Sequence, residues 1–337
     1  MATIYKPFLN DDVTSTRTLL HESIPVTGTI VSGTYGTFGN EDNIKNYSHG
    51  MFQSVYDYPY LSSSSNHIFD ITCGYSSDSP LSKTTSADNS KKTAVYNQMA
   101  QVLAGHDVSG SIRKFDADGD LSSGPKHEEV YFLNFSRLLA KDEIKKGTFS
   151  LTLMTGSAFG TPGSATVTIS DTGADSSYKT NSPAGEYGLL KKGATNVGLL
   201  YYQTGIAVLT ASVFGASQME SDAELVTAVL SGSTIQANAN ALRHRVKDIS
   251  FNNTTELNST IYFCRVNHNE YNYSANPTYT SGSRVRVKNN TIDNPVSYIT
   301  TVGLYSADNE LLATAKLSEP LKKDPTNEMI LRVRLDY

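Results

Sequence analysis

Val197-Gly198-Leu199-Leu200-Tyr201-Tyr202-Gln203-Thr204-Gly205-Ile206-Ala207-Val208-Leu209-Thr210-Ala211-Ser212-Val213-Phe214 reads as two apolar runs on either side of Gln203-Thr204-Gly205, a β-hairpin turning at those three residues. A strand with one wet face alternates apolar and polar residues. Here the apolar character is nearly continuous, so both faces are covered. The cover is either the rest of the domain or another subunit, which makes Val197, Leu199, Tyr201, Ile206 and Val208 candidate interface residues.

Working outward, most of the chain follows the same strand-and-turn grammar. Upstream, Ser23–Gly33, Met51–Tyr60, His67–Tyr75, Val130–Phe135, Thr148–Met154 and Ala165–Ser170 read as strands. The run Ser62–Ser65 is a turn, as is the stretch marked by Gly156, Gly160, Pro162 and Gly163. One clear helix interrupts them over Lys92–Ala104, where Val95, Met99, Val102 and Leu103 form a buried stripe and Gly105 ends it. A second, short helix starts at the capping box of Ser221 and Glu224, ahead of Leu225, Val226, Val229 and Leu230. Gln236–Leu242 is a further helical turn or a linker. From Val246 the pattern is all strand, ending in Leu331-Arg332-Val333-Arg334-Leu335-Asp336-Tyr337, which alternates strictly between an apolar and a charged face. The fold class expected is mainly β with a few short helices. An extended N-terminal arm (1–22) precedes a larger β-rich α+β domain (23–243) and a C-terminal antiparallel β-sandwich or small barrel (244–337).

Composition narrows the function. The 337 residues carry 28 Lys+Arg against 33 Asp+Glu, a formal charge of −5, which lacks the basic excess of a duplex nucleic-acid binder. Charged residues make up 18%, below the roughly 25% of ordinary soluble domains. Ser, Thr, Asn and 20 Tyr supply the polarity instead. No secretion signal opens the chain and no apolar run is long enough to span a bilayer, so neither nucleic acid nor membrane is an expected partner. Cys73 and Cys264 match no metal spacing and read as buried free thiols.

The sharpest chemical cluster is Asp116-Ala117-Asp118-Gly119-Asp120. Alternate carboxylates in a turn are how calcium loops begin, because several oxygens must converge on one hard cation. An EF-hand then needs Gly at its sixth position and Glu at its twelfth, where this chain has Leu121 and His127. Asp116, Asp118 and Asp120 are therefore a weak metal candidate, and a solvated acidic turn is the plainer reading. The histidines lack zinc spacing, and Asn267-His268-Asn269-Glu270 reads as a turn rather than an acid–base group. No nucleophile elbow or phosphate-binding loop occurs. Tyr56, Tyr58 and Tyr60 alternate along an extended segment and could stack on sugar, although packing explains such stripes more often. The Asn-x-Ser/Thr triplets, at Asn252 and Asn289 for example, arise by chance in a chain this rich in those residues. No catalytic residue and no cofactor is expected.

In the C-terminal third, Tyr298-Ile299-Thr300-Thr301-Val302-Gly303-Leu304-Tyr305-Ser306-Ala307-Asp308-Asn309-Glu310-Leu311-Leu312-Ala313 resembles the hairpin of phage tail-fibre and collar-fibre attachment domains. The surrounding run, from Asn267 to Tyr279 and again at Ile330–Tyr337, is similar to virion structural proteins of T4-like marine and cyanobacterial myophages, as is Lys45–Ile71. The resemblance implies a non-enzymatic virion subunit, made in the host cytoplasm and placed at the baseplate, collar or neck. Its partners would be copies of itself, as a ring or trimer, and other tail, collar or fibre proteins. Tyr298, Val302, Leu304 and Leu311 join the candidate interface residues on this ground. A capsid decoration or vertex protein, and a glycan-binding or depolymerising host-recognition protein, remain the alternatives.

Overall fold

The structure is a computed structural model, and it describes residues 5–26, 41–83, 87–121, 123–155, 165–213, 234–273, 280–281, 284–285 and 295–337. The expected turn at Gly156–Gly163, the helix begun by Ser221 and Glu224, and residues 27–33 and 286–288 of two expected strands lie outside the described residues. The chain forms two compact units, Leu20–Thr255 and the pair of segments Met1–Leu19 and Glu256–Tyr337. The protein is mainly β, as its sequence pattern requires.

In the Leu20–Thr255 unit the strands are antiparallel throughout. Their spatial order begins with the first half of Val246–Val266, followed by Ser150–Thr155, Ala165–Ser170, Gly185–Lys192 and Thr195–Tyr201. It continues through Ile206–Thr210, Glu129–Phe135, His67–Tyr75, Gln53–Tyr56 and Ile44–Asn46. The hairpin read from the sequence is here, with Leu199 opposite Val208 and Tyr201 opposite Ile206. Its turn needs Gly205, whose φ is +68°. Gly198 is the tighter requirement, since a Cβ there would lie 2.1 Å from the Val208 carbonyl oxygen.

Aromatic rings knit this sheet into a core. Phe135 packs edge-on against Phe69, Phe149 and Phe251, with centroids 6.1, 5.8 and 5.2 Å away. The Asn89–Leu103 helix lies on His67–Tyr75, and Gly74 permits the approach because a Cβ there would sit 2.5 Å from the Lys92 carbonyl. Val102, expected on the buried stripe, is 61% exposed, while Tyr96 and Ala100 take its place. Tyr96 can be buried because its hydroxyl donates to the His127 carbonyl at 2.9 Å. The segment 236–242 belongs to a true helix, Ile235–Arg243, whose Thr234 hydroxyl accepts from the Ala237 N–H.

The other unit is antiparallel too, with two longer pairings and a two-residue one between Thr280–Ser281 and Arg284–Val285. The second half of the Val246–Val266 strand pairs with Met329–Asp336, from Ser259 opposite Asp336 to Val266 opposite Met329. Ser297–Tyr305 and Leu311–Lys323 form a hairpin that turns at the expected Ser306–Asn309, where Ser306 N–H donates to Glu310 O. The arm is not featureless: its Val13–Pro25 strand borders Val246–Val266, yet Ile24 is its only residue even half-buried. The division between units also differs from the expected 243/244. It falls inside Val246–Val266, because Val246, Ile249 and Phe251 still fill the core of the first unit.

Candidate functional site

The acidic loop hangs from a two-residue pairing of Phe115–Asp116 with Lys126–His127. Gly119 and Leu121 both take left-handed backbone angles, φ +72° and +61°, and the chain doubles back on itself. One oxygen each from Asp116, Asp118 and Asp120 then lies within 4.8 Å of the others. The three carboxylates are not equivalent. Asp116 is buried and accepts the Leu121 N–H at 2.6 Å through Oδ2, while its Oδ1 lies 3.0 Å from the Lys126 ammonium. Asp118 and Asp120 are exposed. A divalent ion entering here would have to displace an ammonium that already neutralises the one buried carboxylate, so the geometry is that of an acidic turn with its buried member paired.

That turn is braced from the neighbouring strands. Asn196 Nδ2 donates to Ala117 O at 2.9 Å and Asn181 Nδ2 to Gly119 O at 3.0 Å, while Tyr187 hydroxyl donates to Asn181 Oδ1 at 2.7 Å. Burial, reinforced by Asp116, pushes the Tyr187 phenol up to about 12. His127 is driven the opposite way by burial, against the pull of Asp116, so its imidazole is held neutral.

The interface candidates separate into two groups. Val197, Leu199, Tyr201 and Val208 are buried inside the chain's own sheet, and Ile206 packs half-buried against the same core. The cover inferred for this hairpin comes from its own unit, so the four buried side chains present nothing to a partner and Ile206 only part of its surface. In the C-terminal hairpin, Tyr298 and Leu311 are exposed, Val302 is half-buried and Leu304 is buried. The Gln53–Tyr56 strand ends at Tyr56, so Tyr58 and Tyr60 do not continue it, although the Tyr56 and Tyr60 rings still pack together with centroids 6.3 Å apart. Tyr56 also packs against His67, their centroids 5.5 Å apart. The Asn267–Glu270 turn does form, with Glu270 N–H on Asn267 O.

Several residues of consequence were not legible in the pattern. Lys323, a residue type that ordinarily stands at the surface, is fully buried. Its three N–H donors meet Asn272 Oδ1 at 2.6 Å, Asp324 O at 2.8 Å and His268 O at 3.1 Å, a full set for one ammonium. Within the same unit, Leu9, Leu19, Leu311, Leu312, Leu321, Ile330 and Tyr337 stand exposed, Leu312 at 69% and Ile330 at 58%. A cleft of about 790 Å³ opens between the Ser297–Tyr305 strand, Phe263–Val266 and the arm at Tyr5–Phe8. The density of tyrosine in the C-terminal segment was a signal that could have located one of its walls. Among the described residues no helix is long and apolar enough to cross a membrane. No protein-family model, curated protein or solved structure matches the chain.

Proposed function

We propose that this chain is a non-enzymatic structural subunit of a tailed-phage virion, assembling with copies of itself into a ring or trimer and anchoring neighbouring tail or fibre proteins. The observation that carries the reading is a β unit whose described residues bury only Val266, Leu304 and Val333 among their apolar side chains. Leu311, Leu312, Leu321 and Ile330 have no hydrogen-bonding groups in their side chains, so water is a poor environment for them and an apolar protein surface a good one. A two-stranded hairpin such as Ser297–Lys323 is marginal alone and gains stability from whatever covers it. Closed rings of identical subunits supply such cover symmetrically. The phage assignment rests on the likeness of Tyr298–Ala313 to fibre-attachment hairpins.

Native mass spectrometry and sedimentation of the purified chain test the assembly, and mass spectrometry of purified virions tests its place. A ring or trimer that is also a virion component is the expected result. A chain that stays monomeric at high concentration and is absent from virions sinks the reading.

A further inference from the structure

The cleft beside the C-terminal hairpin is lined differently from the surface around it. Besides the less exposed Phe263, six aromatic residues line it, Tyr5, Phe8, Tyr271, Tyr273, Tyr298 and Tyr305, each between 38 and 55% exposed. Two belong to the arm and four to the C-terminal segment, and all lie in one unit. Tyr5 meets Tyr305 edge-on with centroids 4.8 Å apart, so rings from the two ends of the sequence share one wall. Folding ordinarily hides rings of this size, and a concentration of half-exposed ones in a concave site of a few hundred cubic ångströms is the usual form of a ligand pocket.

The chemistry of the lining restricts the ligand. Between the rings the wall offers hydroxyl and amide groups, from Thr300, Thr301, Ser306 and Asn309 besides the phenols themselves. The two cations of the lining are already engaged, Lys6 by Glu270 and Arg265 by Asp12. A phosphate or carboxylate ligand would therefore find no free positive charge. A purely apolar helix would leave the rim hydroxyls and the Asn309 amide without partners. What fits is a neutral molecule with flat apolar faces and a hydroxylated edge. A pyranose ring has that form, with C–H groups on its faces and hydroxyls around its perimeter.

We propose that this cleft binds a neutral oligosaccharide, its sugar rings stacked on Tyr298 and Tyr305 and its hydroxyls bonded to the Thr300–Asn309 rim. The inference stands on the cleft alone and holds whether or not the chain assembles. Calorimetric titration of the full chain with maltohexaose, cellohexaose and chitohexaose tests it. Hexagalacturonate serves as the acidic comparison and a proline-rich peptide as the protein-like one. Since the chain has no Trp, quenching of tyrosine fluorescence gives a second readout.

At least one neutral hexasaccharide is expected to bind saturably. Tyr298→Ala and Tyr305→Ala weaken that binding about tenfold each, the equivalent of one lost ring contact. Tyr298→Phe, which keeps the ring, retains most of it, and Tyr178→Ala, an exposed tyrosine outside the cleft, leaves it unchanged. Circular dichroism confirms that each variant is folded. The proposal is overturned if none of the three neutral sugars binds, if binding survives both alanine substitutions, or if only the acidic sugar or the peptide binds.

Discussion

Two regions of this protein have similar secondary structure and opposite interiors. In Leu20–Thr255 aliphatic and aromatic side chains from nearly every strand close into one buried core. In the unit made of Met1–Leu19 and Glu256–Tyr337, the buried apolar side chains among the described residues are Val266, Leu304 and Val333. Both are antiparallel β. Strand pairing satisfies the backbone in each, but among the described residues the first removes far more apolar surface from water. The second is held by specific polar contacts: the Lys323 ammonium in its turn, Asp12 on Arg265, Lys6 on Glu270 and Arg17 on Glu256. Regular secondary structure is thus no measure of self-sufficiency, and the unit short of a core is where partners and ligands have something to gain.

The contrast can be broken most forcibly from the well-packed side. Asp171 is buried and accepts the Gly147 and Phe149 N–H groups and the Tyr202 hydroxyl, at 2.7, 3.0 and 2.9 Å. Asp171→Ala orphans two buried donors, the Phe149 N–H and the Tyr202 hydroxyl, besides the Gly147 N–H of an exposed turn, and is expected to cost about 3 kcal/mol in urea unfolding of this unit. A value under about 1 kcal/mol would show that water reaches the site. In the other unit, Lys323→Ala removes the ammonium that three turn acceptors surround. The expected loss is about 2 kcal/mol, confined to hydrogen-exchange protection in 297–323 and absent from the Leu20–Thr255 core.

Acid acts more gently and in the same place. The hydrogen bond from Arg265 holds Asp12 below its ordinary 3.8, and that from Lys6 holds Glu270 below its ordinary 4.5. Groups depressed by folding contribute fully above their unfolded values, and the contribution vanishes as pH falls through the lower folded ones. Protection of residues 5–19 therefore declines below pH 4.5 while the first unit's core keeps its own. Equal loss in both units would remove the distinction. Smallest of all is Leu312→Ser, at a side chain 69% exposed. It should change the stability of the isolated chain by less than about 0.5 kcal/mol. Its effect is expected in the sedimentation coefficient, where a ring or trimer loosens; an unaltered assembly would remove Leu312 from the interface.

What the sequence disclosed was local. The Val197–Val213 and Ser297–Lys323 hairpins and the Asn89–Leu103 helix follow from apolar period and turn residues that lie within a few positions of one another. The core at Tyr96 escaped because its phenol looks polar until the His127 carbonyl is brought to it. Lys323 escaped for the same reason, its three acceptors being backbone and amide oxygens that composition does not reveal. The buried fate of Val197, Leu199, Tyr201 and Val208 was half legible: the run said that both faces are covered, but not by whom. The cleft was hidden most deeply, because Tyr5 and Tyr305 become neighbours only through long-range pairing.

That pairing also sets a clock. Asp12 and Arg265 are 253 residues apart, and every one of the residues between them must be synthesised before the contact can form. At about 5–20 residues per second, the arm waits roughly 13–50 s on the ribosome with its receiving strand not yet made. Strands that mature early have neighbours close in sequence and can pair as they emerge, whereas the arm and its leucines complete their unit last. Any contact made through the completed unit can therefore form only after translation has passed Arg265.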